Sequence, residues 1–477
     1  MFGKFTPSDV VKAILPTPLR ARYTPAILKL DDQFNTLVNG TDERAKSLRI
    51  ALATFFIRVF SAVIAYVSQI LLARWLGLFE YGIYVWVWVA VVICGGLASL
   101  GFPSAVTRFV PQYQISDDQR SERGVIFGSR VFSMLLATVI AAVGIAGLLI
   151  FDDKISDAFV VPVYLAAICL PMLALSEVQD GIARAYNWVG PALVPTYILR
   201  PVLLLVSMLA ALGYGFAPTA TTTLACAIIT TWIASLWQLW SLNRRLRKVL
   251  PPGPRNLQLR LWIAVALPIF LVEGFFNLLT NIDILIVGLY LSPQNVAVYF
   301  AAVKTLALVH FVYFAVKAAA AHRYARYFVQ QDKAEFSNYI NGTIHWTFWP
   351  SLALSIFLLL GGKYLLMLFG AEFESAYPYL AILTFGLLAR AAVGPAESIL
   401  NMSGQQNACA TVYGVTLTIN IVLNLTLIPS FGLYGAAWAT TMALIFEAAA
   451  LYFVAYHRLN VKLFVFTRHT TTASQAG

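Results

Sequence analysis

Windows of about 20 apolar residues recur along this chain, and each is long enough to cross a hydrocarbon core about 30 Å thick as a helix. They begin at residue 50 and end at residue 456. A backbone inside that core must satisfy its own hydrogen bonds, so only helices and closed barrels cross it. Hydrophobic residues form 60% of the chain and charged residues 12%, about half the charged fraction of soluble domains. The sequence predicts an all-α integral membrane protein.

Twelve spans account for these windows. They cover residues 50–73, 83–102, 127–150, 159–180, 192–213, 218–240, 262–290, 296–320, 343–361, 377–400, 407–428 and 433–456. Lys and Arg collect in the N-terminal segment and in the loops after the even-numbered spans. Because such short basic loops stay on the cytoplasmic side, both termini are predicted to be cytoplasmic.

The spans fall into two similar halves. Residues 213–222 (GYGFAPTATT) align with residues 432–441 (GLYGAAWATT), and repeats of this kind are typical of transporters built from two lobes. The predicted domains are a cytoplasmic N-tail at 1–49, an N-lobe at 50–240 with helices 1–6, a cytoplasmic linker at 241–261, a C-lobe at 262–456 with helices 7–12 and a cytoplasmic C-tail at 457–477. The N-tail is either an amphipathic helix on the inner leaflet or a partly ordered segment.

Several kinds of chemistry find no support in the sequence. It has neither a phosphate-binding GxxxxGK[ST] loop nor a GxSxG nucleophile elbow. Its four cysteines stand singly inside apolar segments, which indicates buried packing rather than disulfides or a metal centre. The net charge of +11 follows from the basic loops. We therefore expect no enzyme activity, no cofactor, no metal and no nucleic-acid partner.

Cationic side chains inside the spans are the strongest functional signal. Arg58, Arg200, Lys304 and Arg390 lie well inside predicted helices, where an unpaired charge costs about 2.5–3.5 kcal/mol. We interpret the four as substrate-binding residues that line a wet, anion-accepting cavity. Fixed ion pairs with carboxylates in the spans are the alternative. Lys317 lies near a span end, where its side chain is expected to reach the interface.

Other polar groups in the spans have separate interpretations. Glu177, Asp180 and Arg184 share one helix face, which predicts local ion pairing. Candidate ion-coupling or gating residues, with H+ or Na+ as the ion, are Glu273, Asn277, Asp283 and Glu397. At an offset of 215 residues Glu273 corresponds to Arg58, and we expect these opposite charges to form a latch between the lobes. The aromatic cluster Tyr81, Tyr84, Trp86 and Trp88 is predicted to form an interfacial belt, with a sugar-binding platform as the alternative.

Two stretches resemble polysaccharide exporters of the multidrug/oligosaccharidyl-lipid/polysaccharide (MOP) superfamily. They are ILLARWLGLFEYGIYVW (70–86) and the more specific NIVLNLTLIPSFGLYGAAWATT (420–441). The matching residues to which we assign structural roles are Gly77, Gly82, Asn420, Asn424, Pro429, Gly432 and Gly435. The resemblance implies a Wzx-type flippase with a MATE-like fold, in which two six-helix lobes enclose a cationic cavity.

The function implied by this resemblance is transport by alternating access across the bacterial inner membrane. The cargo of such proteins is undecaprenyl-diphosphate-linked oligosaccharide, used for O-antigen of lipopolysaccharide, capsule or exopolysaccharide. Membrane lipids, a polysaccharide polymerase and a chain-length regulator are the implied partners. Three alternatives remain at this point: a MATE-type multidrug or cation antiporter, a lipid II flippase, and a membrane-embedded polymerase or ligase. The short outer loops disfavour the last of these.

Overall fold

The computed structural model describes residues 43–150, 157–330, 333–459 and 461–467. The helix predicted in the N-tail lies outside these residues. The chain separates into two compact units, Met1–Val63 and Ile64–Gly477. The first unit contains the beginning of the first described helix, and the second contains the helical bundle with every contact discussed below.

Nearly all described residues are helical. The α-helices are α1 (Glu43–Ser99), α2 (Phe102–Ile115), α3 (Gln119–Ile150), α4 (Asp157–Ala185), α5 (Val189–Val194), α6 (Arg200–Gly213), α7 (Ala220–Val249), α8 (Leu259–Leu279), α9 (Ile282–Tyr290), α10 (Pro293–Gln330), α11 (Lys333–Met367), α12 (Tyr377–Ala392), α13 (Ala396–Met402), α14 (Gln406–Phe431) and α15 (Leu433–Leu459). A π-helical turn, Pro195–Leu199, joins α5 to α6, and a 3₁₀ turn, Ala371–Ala376, precedes α12.

Among the described residues, eleven helical stretches are long and apolar enough to cross a membrane. The first, Ile57–Ile115, has 59 residues, which at 1.5 Å per residue is about 90 Å and far exceeds one crossing. It contains a break at Gly77, whose φ of 72° and ψ of 175° are not helical and suit glycine. This stretch therefore provides two crossings, and the predicted all-α membrane fold with about twelve spans is confirmed.

The structure differs from the sequence prediction at several helix boundaries. Residues 103–115, expected to belong to a loop, form nearly all of α2, which buries Phe102, Val106 and Val110 against the N-lobe. α7 continues to Val249, so the first part of the predicted linker is helical. Spans seven and ten are each divided into two helices, at Thr280–Asn281 and at 393–395. The second break lies at Gly394, with φ of 62°, followed by a proline that cannot donate a backbone hydrogen bond.

Helix α8 packs against both lobes. Trp262 and Ala266 in its first half are fully buried in a cluster with Phe102, Val106 and Leu246 of the N-lobe, and the Trp262 indole donates a hydrogen bond of 2.9 Å to the Tyr113 hydroxyl. The second half packs on the C-lobe helix α14. The predicted boundary at residue 262 is thus not a packing boundary.

The non-helical connection between the lobes, residues 250–258, is held against the start of α3. The Arg123 guanidinium donates to the carbonyls of Pro251 at 2.7 Å and Pro254 at 3.1 Å. The Asn256 amide donates to the Arg120 carbonyl at 3.0 Å. These hydrogen bonds fix the connection between the lobes to α3.

On the predicted outer side, the second half of α1 packs tightly against the C-lobe. The Trp86 indole donates to the Leu285 carbonyl at 3.1 Å, and the Tyr81 ring lies between those of Phe300 and Phe373. Tyr81 and Tyr84 are buried, and Trp86 and Trp88 are half-buried. The predicted interfacial belt is therefore wrong, because Tyr81 and Trp86 pack against the C-lobe and Trp88 stacks on Arg200 of the N-lobe.

The C-terminal segment 461–467 packs on the C-lobe, and it contains a turn at residues 465–466. Val461, Leu463 and Val465 are buried, whereas Lys462 and Phe464 are exposed, the alternation expected of extended chain on an apolar surface. The Val465 amide donates to the Ala392 carbonyl at 3.0 Å. This carbonyl is the last of α12, so the segment satisfies an acceptor that the helix break leaves free.

Candidate functional site

A polar cavity of about 410 Å³ lies between α1, α2, α4, α6 and α8. Both lobes contribute to it, because α8 belongs to the second half of the chain and the other helices to the first. Its polar lining comprises Ser99, Ser104, Ser176, Glu177, Asp180, Arg184, Thr196, Tyr197, Arg200, Glu273 and Asn277. Such a concentration of polar side chains within membrane-spanning helices marks it as the candidate substrate site.

Helix α4 supplies three charged groups to the cavity. Glu177, Asp180 and Arg184 follow one another along one face of the helix, as their spacing predicts. Arg184 Nη2 and Asp180 Oδ2 are 3.1 Å apart, so the predicted local ion pair is confirmed. The two charges largely neutralise each other at the cavity wall, which leaves Glu177 as the charge that α4 presents.

Helix α6 contributes Arg200, the residue that directly follows the π-helical turn. The Arg200 side chain is half-buried and its Cζ lies 5.5 Å from the Trp88 ring centroid, a stacking distance that favours the cation. Among the described residues it has no carboxylate partner within ion-pair distance. Its positive charge is therefore available to an anionic ligand in the cavity.

Helix α8 contributes Glu273 and Asn277, two of the candidate ion-coupling or gating residues. Glu273 Oε1 accepts a hydrogen bond of 2.6 Å from the Ser104 hydroxyl on α2, which links the two lobes across the cavity. Asn277 packs against Gly96, where a Cβ would lie 2.7 Å from the Asn277 amide nitrogen. Both side chains thus face the cavity, and Glu273 is bonded there to Ser104. A latch between Glu273 and Arg58 stays a prediction.

The cavity has mixed charge rather than the cationic character that we predicted. With Asp180 paired to Arg184, the described lining residues leave two carboxylates, Glu177 and Glu273, and one cation, Arg200. The difference arises because α4 and α8 turn their acidic residues inward, which a list of charged positions does not reveal. The cavity is rich in hydrogen-bond acceptors around a single unpaired guanidinium.

Arg390 does not line this cavity. Its side chain is 2% exposed, and its Nε lies 3.1 Å from Glu447 Oε1 on α15. The guanidinium also stacks on two aromatic rings, at 4.8 Å from the Tyr313 centroid and 5.2 Å from that of Phe276. This is the arrangement of a fixed ion pair, the alternative raised for the cations in spans.

The other two predicted cations also lie outside the set of residues that line the cavity. Lys304 on α10 is half-buried, with its Nζ 4.8 Å from the Phe300 ring centroid. Arg58 is exposed and belongs to the first unit of the chain. Of the four predicted substrate-binding residues, the structure places Arg200 in the cavity. Anion binding by Arg58 and Lys304 stays a prediction.

The remaining candidate coupling residues lie in the C-lobe. Asp283 on α9 is buried and accepts hydrogen bonds from Tyr299 at 2.8 Å and Thr440 at 3.2 Å, which ties α9 to α10 and α15. Glu397 accepts from Lys317 at 2.9 Å. Lys317 therefore pairs with a carboxylate instead of reaching the interface. An ion-coupling role for Asp283 or Glu397 stays a prediction.

The family-motif residues occupy turns and close contacts. Gly432 has a φ of 57° between α14 and α15. A Cβ at Gly435 would lie 2.2 Å from the Leu427 carbonyl oxygen, and one at Gly82 would lie 1.8 Å from that of Pro293. Asn420 and Asn424 are buried, with the Asn424 amide donating to the Asn420 carbonyl at 2.8 Å. Pro429 lies inside α14. These contacts give the residues structural roles.

Sequence reasoning missed several small polar residues of the cavity. Ser99, Ser104, Ser176 and Thr196 line it, yet single hydroxyl side chains are common in membrane helices and carry no spacing signal. Trp88 belongs to the predicted aromatic cluster, and the structure shows its ring stacked against the Arg200 guanidinium. The available signal is the sequence Gly101-Phe102-Pro103. Gly101 has a φ of 71° in the turn after α1, and Phe102 and Pro103 begin α2, whose residue Ser104 lines the cavity.

Residues 47–322, more than half of the chain, match the family model described as "Polysaccharide biosynthesis protein". The chain belongs to this family. Residues 268–426 also match the MatE family model. Together with the relatives below, these matches confirm the resemblance to polysaccharide flippases of the MOP superfamily.

Among curated proteins, the chain is 23% identical over 411 residues to the "Probable low-salt glycan biosynthesis flippase Agl15" of Haloferax volcanii, covering 83% of this chain and 80% of that protein. Among solved structures, the lipid II flippase MurJ in an inward closed conformation is similar with a TM-score of 0.67 and 15% identity, over 85% of this chain and 87% of MurJ. An inward-facing multidrug resistance MATE transporter has a TM-score of 0.66 and 15% identity, over 86% and 98%. The two structures support the fold.

Proposed function

We propose that this protein is a flippase for undecaprenyl-diphosphate-linked oligosaccharide, working in a bacterial inner membrane in the assembly of O-antigen, capsule or exopolysaccharide. Support for a glycan-lipid cargo comes from the family and from the similarity to a glycan biosynthesis flippase. The similarity to flippases and transporters favours transport over catalysis. The observation that carries the proposal is Arg200, an unpaired guanidinium in a polar cavity shared by both lobes.

The chemistry of the cavity suits one end of such a lipid. A guanidinium binds the oxygens of a diphosphate through several charge-assisted hydrogen bonds. The Trp88 ring under Arg200 holds the guanidinium in place, so less side-chain freedom is lost on binding. The neighbouring serine, threonine and carboxylate groups offer acceptors for sugar hydroxyls.

In the proposed cycle the lobes rock about this cavity. The cavity takes in the diphosphate and the first sugars, while the prenyl chain stays in lipid. The contacts between α1 and the C-lobe close the predicted outer side, and the bond between Ser104 and Glu273 crosses the cavity. Separation of one set of contacts as the other forms would expose the head group on the opposite side.

The test is complementation in cells that lack their own flippase. Arg200→Gln should reduce delivery of the lipid-linked sugar by about 10-fold or more, because a hydrogen bond to a charged group contributes about 1.5–3 kcal/mol. Arg200→Lys should retain part of the activity. The matched control is Arg247→Gln, an exposed arginine at the end of α7, which should behave as wild type.

Two outcomes would contradict the proposal. One is full activity of Arg200→Gln at wild-type protein levels. The other is failure of the wild-type chain to restore any of several glycans whose flippases are absent.

One observation favours a second candidate, an exporter of organic cations. Glu177 and Glu273 face the cavity, and carboxylates in a membrane cavity attract cationic ligands. The chain also matches the MatE model over residues 268–426. If expression of the protein raised resistance to cationic dyes and did not restore any glycan, this second function would replace the first.

A further inference from the structure

The cavity contains two carboxylates that face the proposed substrate without a cationic partner. Among the described residues, neither Glu177 nor Glu273 forms an ion pair, whereas Asp180 is paired with Arg184. A diphosphate carries negative charge, so these carboxylates do not serve to bind it. Their presence in the same cavity as Arg200 requires a different role.

The two carboxylates reach the cavity from separate helices. Glu177 lies on α4 and Glu273 on α8, while Arg200 lies on α6. The anion-binding group and the acceptor groups therefore occupy different walls of one space. A ligand that spans this space would place an anionic part at Arg200 and hydrogen-bond donors at the carboxylates.

An ionised carboxylate only accepts hydrogen bonds. Sugar hydroxyls and amines are hydrogen-bond donors and can bind to it. The carboxylate of an acidic sugar is repelled, because two like charges placed together in an interface cost several kcal/mol of binding free energy. The volume of about 410 Å³ is that of a pocket for one drug-sized ligand. Only the part of a glycan next to the diphosphate would fit.

We infer that the cavity selects diphosphate-linked glycans whose first sugars are neutral or carry amines, and rejects those that have a carboxylate at this position. This inference rests on the proposed function. Arg200 binds the diphosphate, and Glu177 accepts hydrogen bonds from the sugar. Each carboxylate has a serine as a hydrogen-bond partner, Ser99 for Glu177 and Ser104 for Glu273. Glu177 is the specificity-determining residue because it lies close enough to Arg200 for their charges to interact, which places it beside the sugar next to the bound diphosphate.

The experiment uses the full chain in proteoliposomes with two fluorescent prenyl-diphosphate disaccharides. They are identical except that the first sugar is glucose in one and glucuronic acid in the other. Movement between leaflets is measured as protection of the fluorophore from a membrane-impermeant quencher. We expect the glucose lipid to move at least about 10-fold faster.

Glu177→Gln keeps the size of the side chain and removes its charge, so it should raise the rate for the glucuronic acid lipid and bring the ratio towards one. The matched control is Glu372→Gln, which changes an exposed carboxylate on the 3₁₀ turn and should leave the ratio at its wild-type value. The wild-type ratio tests the selection by itself if the Glu177 variant does not fold.

The outcomes separate the inference from the function on which it rests. Equal movement of both lipids by the wild-type protein would overturn the selection and leave the flippase assignment standing. Movement of neither lipid by folded protein would overturn both. A wild-type preference that Glu177→Gln does not change would show that Glu177 is not the selecting residue.

Discussion

Gly82 is a point where the two lobes touch backbone to backbone. A Cβ at this residue would lie 1.8 Å from the carbonyl oxygen of Pro293, far inside the contact distance of two heavy atoms. The atom in the way is main-chain oxygen, so no rotation of a side chain could relieve the contact. Any residue other than glycine therefore pushes α1 away from the start of α10.

We predict that Gly82→Ala reduces transport, because α1 can no longer pack against the start of α10 on this side of the cavity. Overpacking of this kind costs about 1–3 kcal/mol, which corresponds to a loss of about 5-fold to 150-fold in the population of the closed state. The measurement is transport per folded protein. Gly144→Ala is the control, since nothing lies within 4 Å of a Cβ there; equal activity of the two variants would contradict the prediction.

Arg390 and Glu447 are both almost completely buried, at 2% and 0% exposure of their side chains. Arg390→Met leaves the carboxylate buried without its partner, and such a loss destabilises by about 3–5 kcal/mol. The double variant Arg390→Met and Glu447→Met should recover most of this stability. Thermal unfolding in detergent measures both effects.

The matched control for this pair is the exposed one between Lys363 and Glu374, whose side chains are 50% and 46% exposed. Lys363→Met should change stability by no more than about 1 kcal/mol. A double variant at 390 and 447 as unstable as the single one would show that the pair is not an isolated unit.

These two kinds of ion pair show what the sequence can predict at the scale of residues. The pairing of Asp180 with Arg184 follows from helical spacing alone, and the structure confirms it. The pairing of Arg390 with Glu447 depends on the packing of α12 against α15, which no spacing within one helix encodes. The sequence therefore predicts an ion pair within one helix but not an ion pair between two helices.

At the scale of elements, the C-terminal segment 461–467 packs against the break between α12 and α13. Leu463 is fully buried and Val465 donates to the Ala392 carbonyl. Leu463→Ala should cost about 2–5 kcal/mol, as for other large-to-small changes in a core. Lys462→Ala, at an exposed neighbouring position, should stay within about 0.5 kcal/mol of wild type. Similar unfolding temperatures for both variants would contradict this packing.

Long apolar stretches were predictable as elements, whereas short helices and breaks were not. A hydropathy window of about 20 residues detects each span. It does not detect α2, because this helix has only 14 residues and they include Arg108 and an internal proline. The alternating burial of residues 461–467 could not be predicted either, because helices distant in sequence form the surface on which this segment packs. Local composition is sufficient for a span, and tertiary packing decides the rest.

At the scale of the whole molecule, the lobes meet around the cavity as well as on the predicted outer side. If they rock during transport, a covalent link between Ser104→Cys and Glu273→Cys should stop it. The native side chains meet at 2.6 Å, but cysteine is shorter than glutamate and a direct disulfide needs closely spaced Cα atoms, so the link is made with a short thiol-reactive cross-linker that contains a reducible bond. Cross-linking should reduce transport to background, and a reductant should restore it. The measurement is lipid movement in proteoliposomes before and after reduction.

The control pair lies within the C-lobe, at Lys363→Cys and Glu374→Cys, whose native side chains are 2.7 Å apart. A bond there joins parts that move together and should leave transport unchanged. Undiminished transport by the cross-linked pair at 104 and 273 would mean that the lobes do not separate at this contact.

The burial of Trp262 among N-lobe side chains determines where the polypeptide can be divided. If the two repeats are produced as separate fragments divided after residue 261, the N-terminal fragment lacks the Trp262 indole that fills its core. The C-terminal fragment then exposes this indole. A division after α8 leaves this core intact. Co-expressed fragments should therefore reassemble more readily when the second begins near residue 281 than when it begins at the predicted lobe boundary.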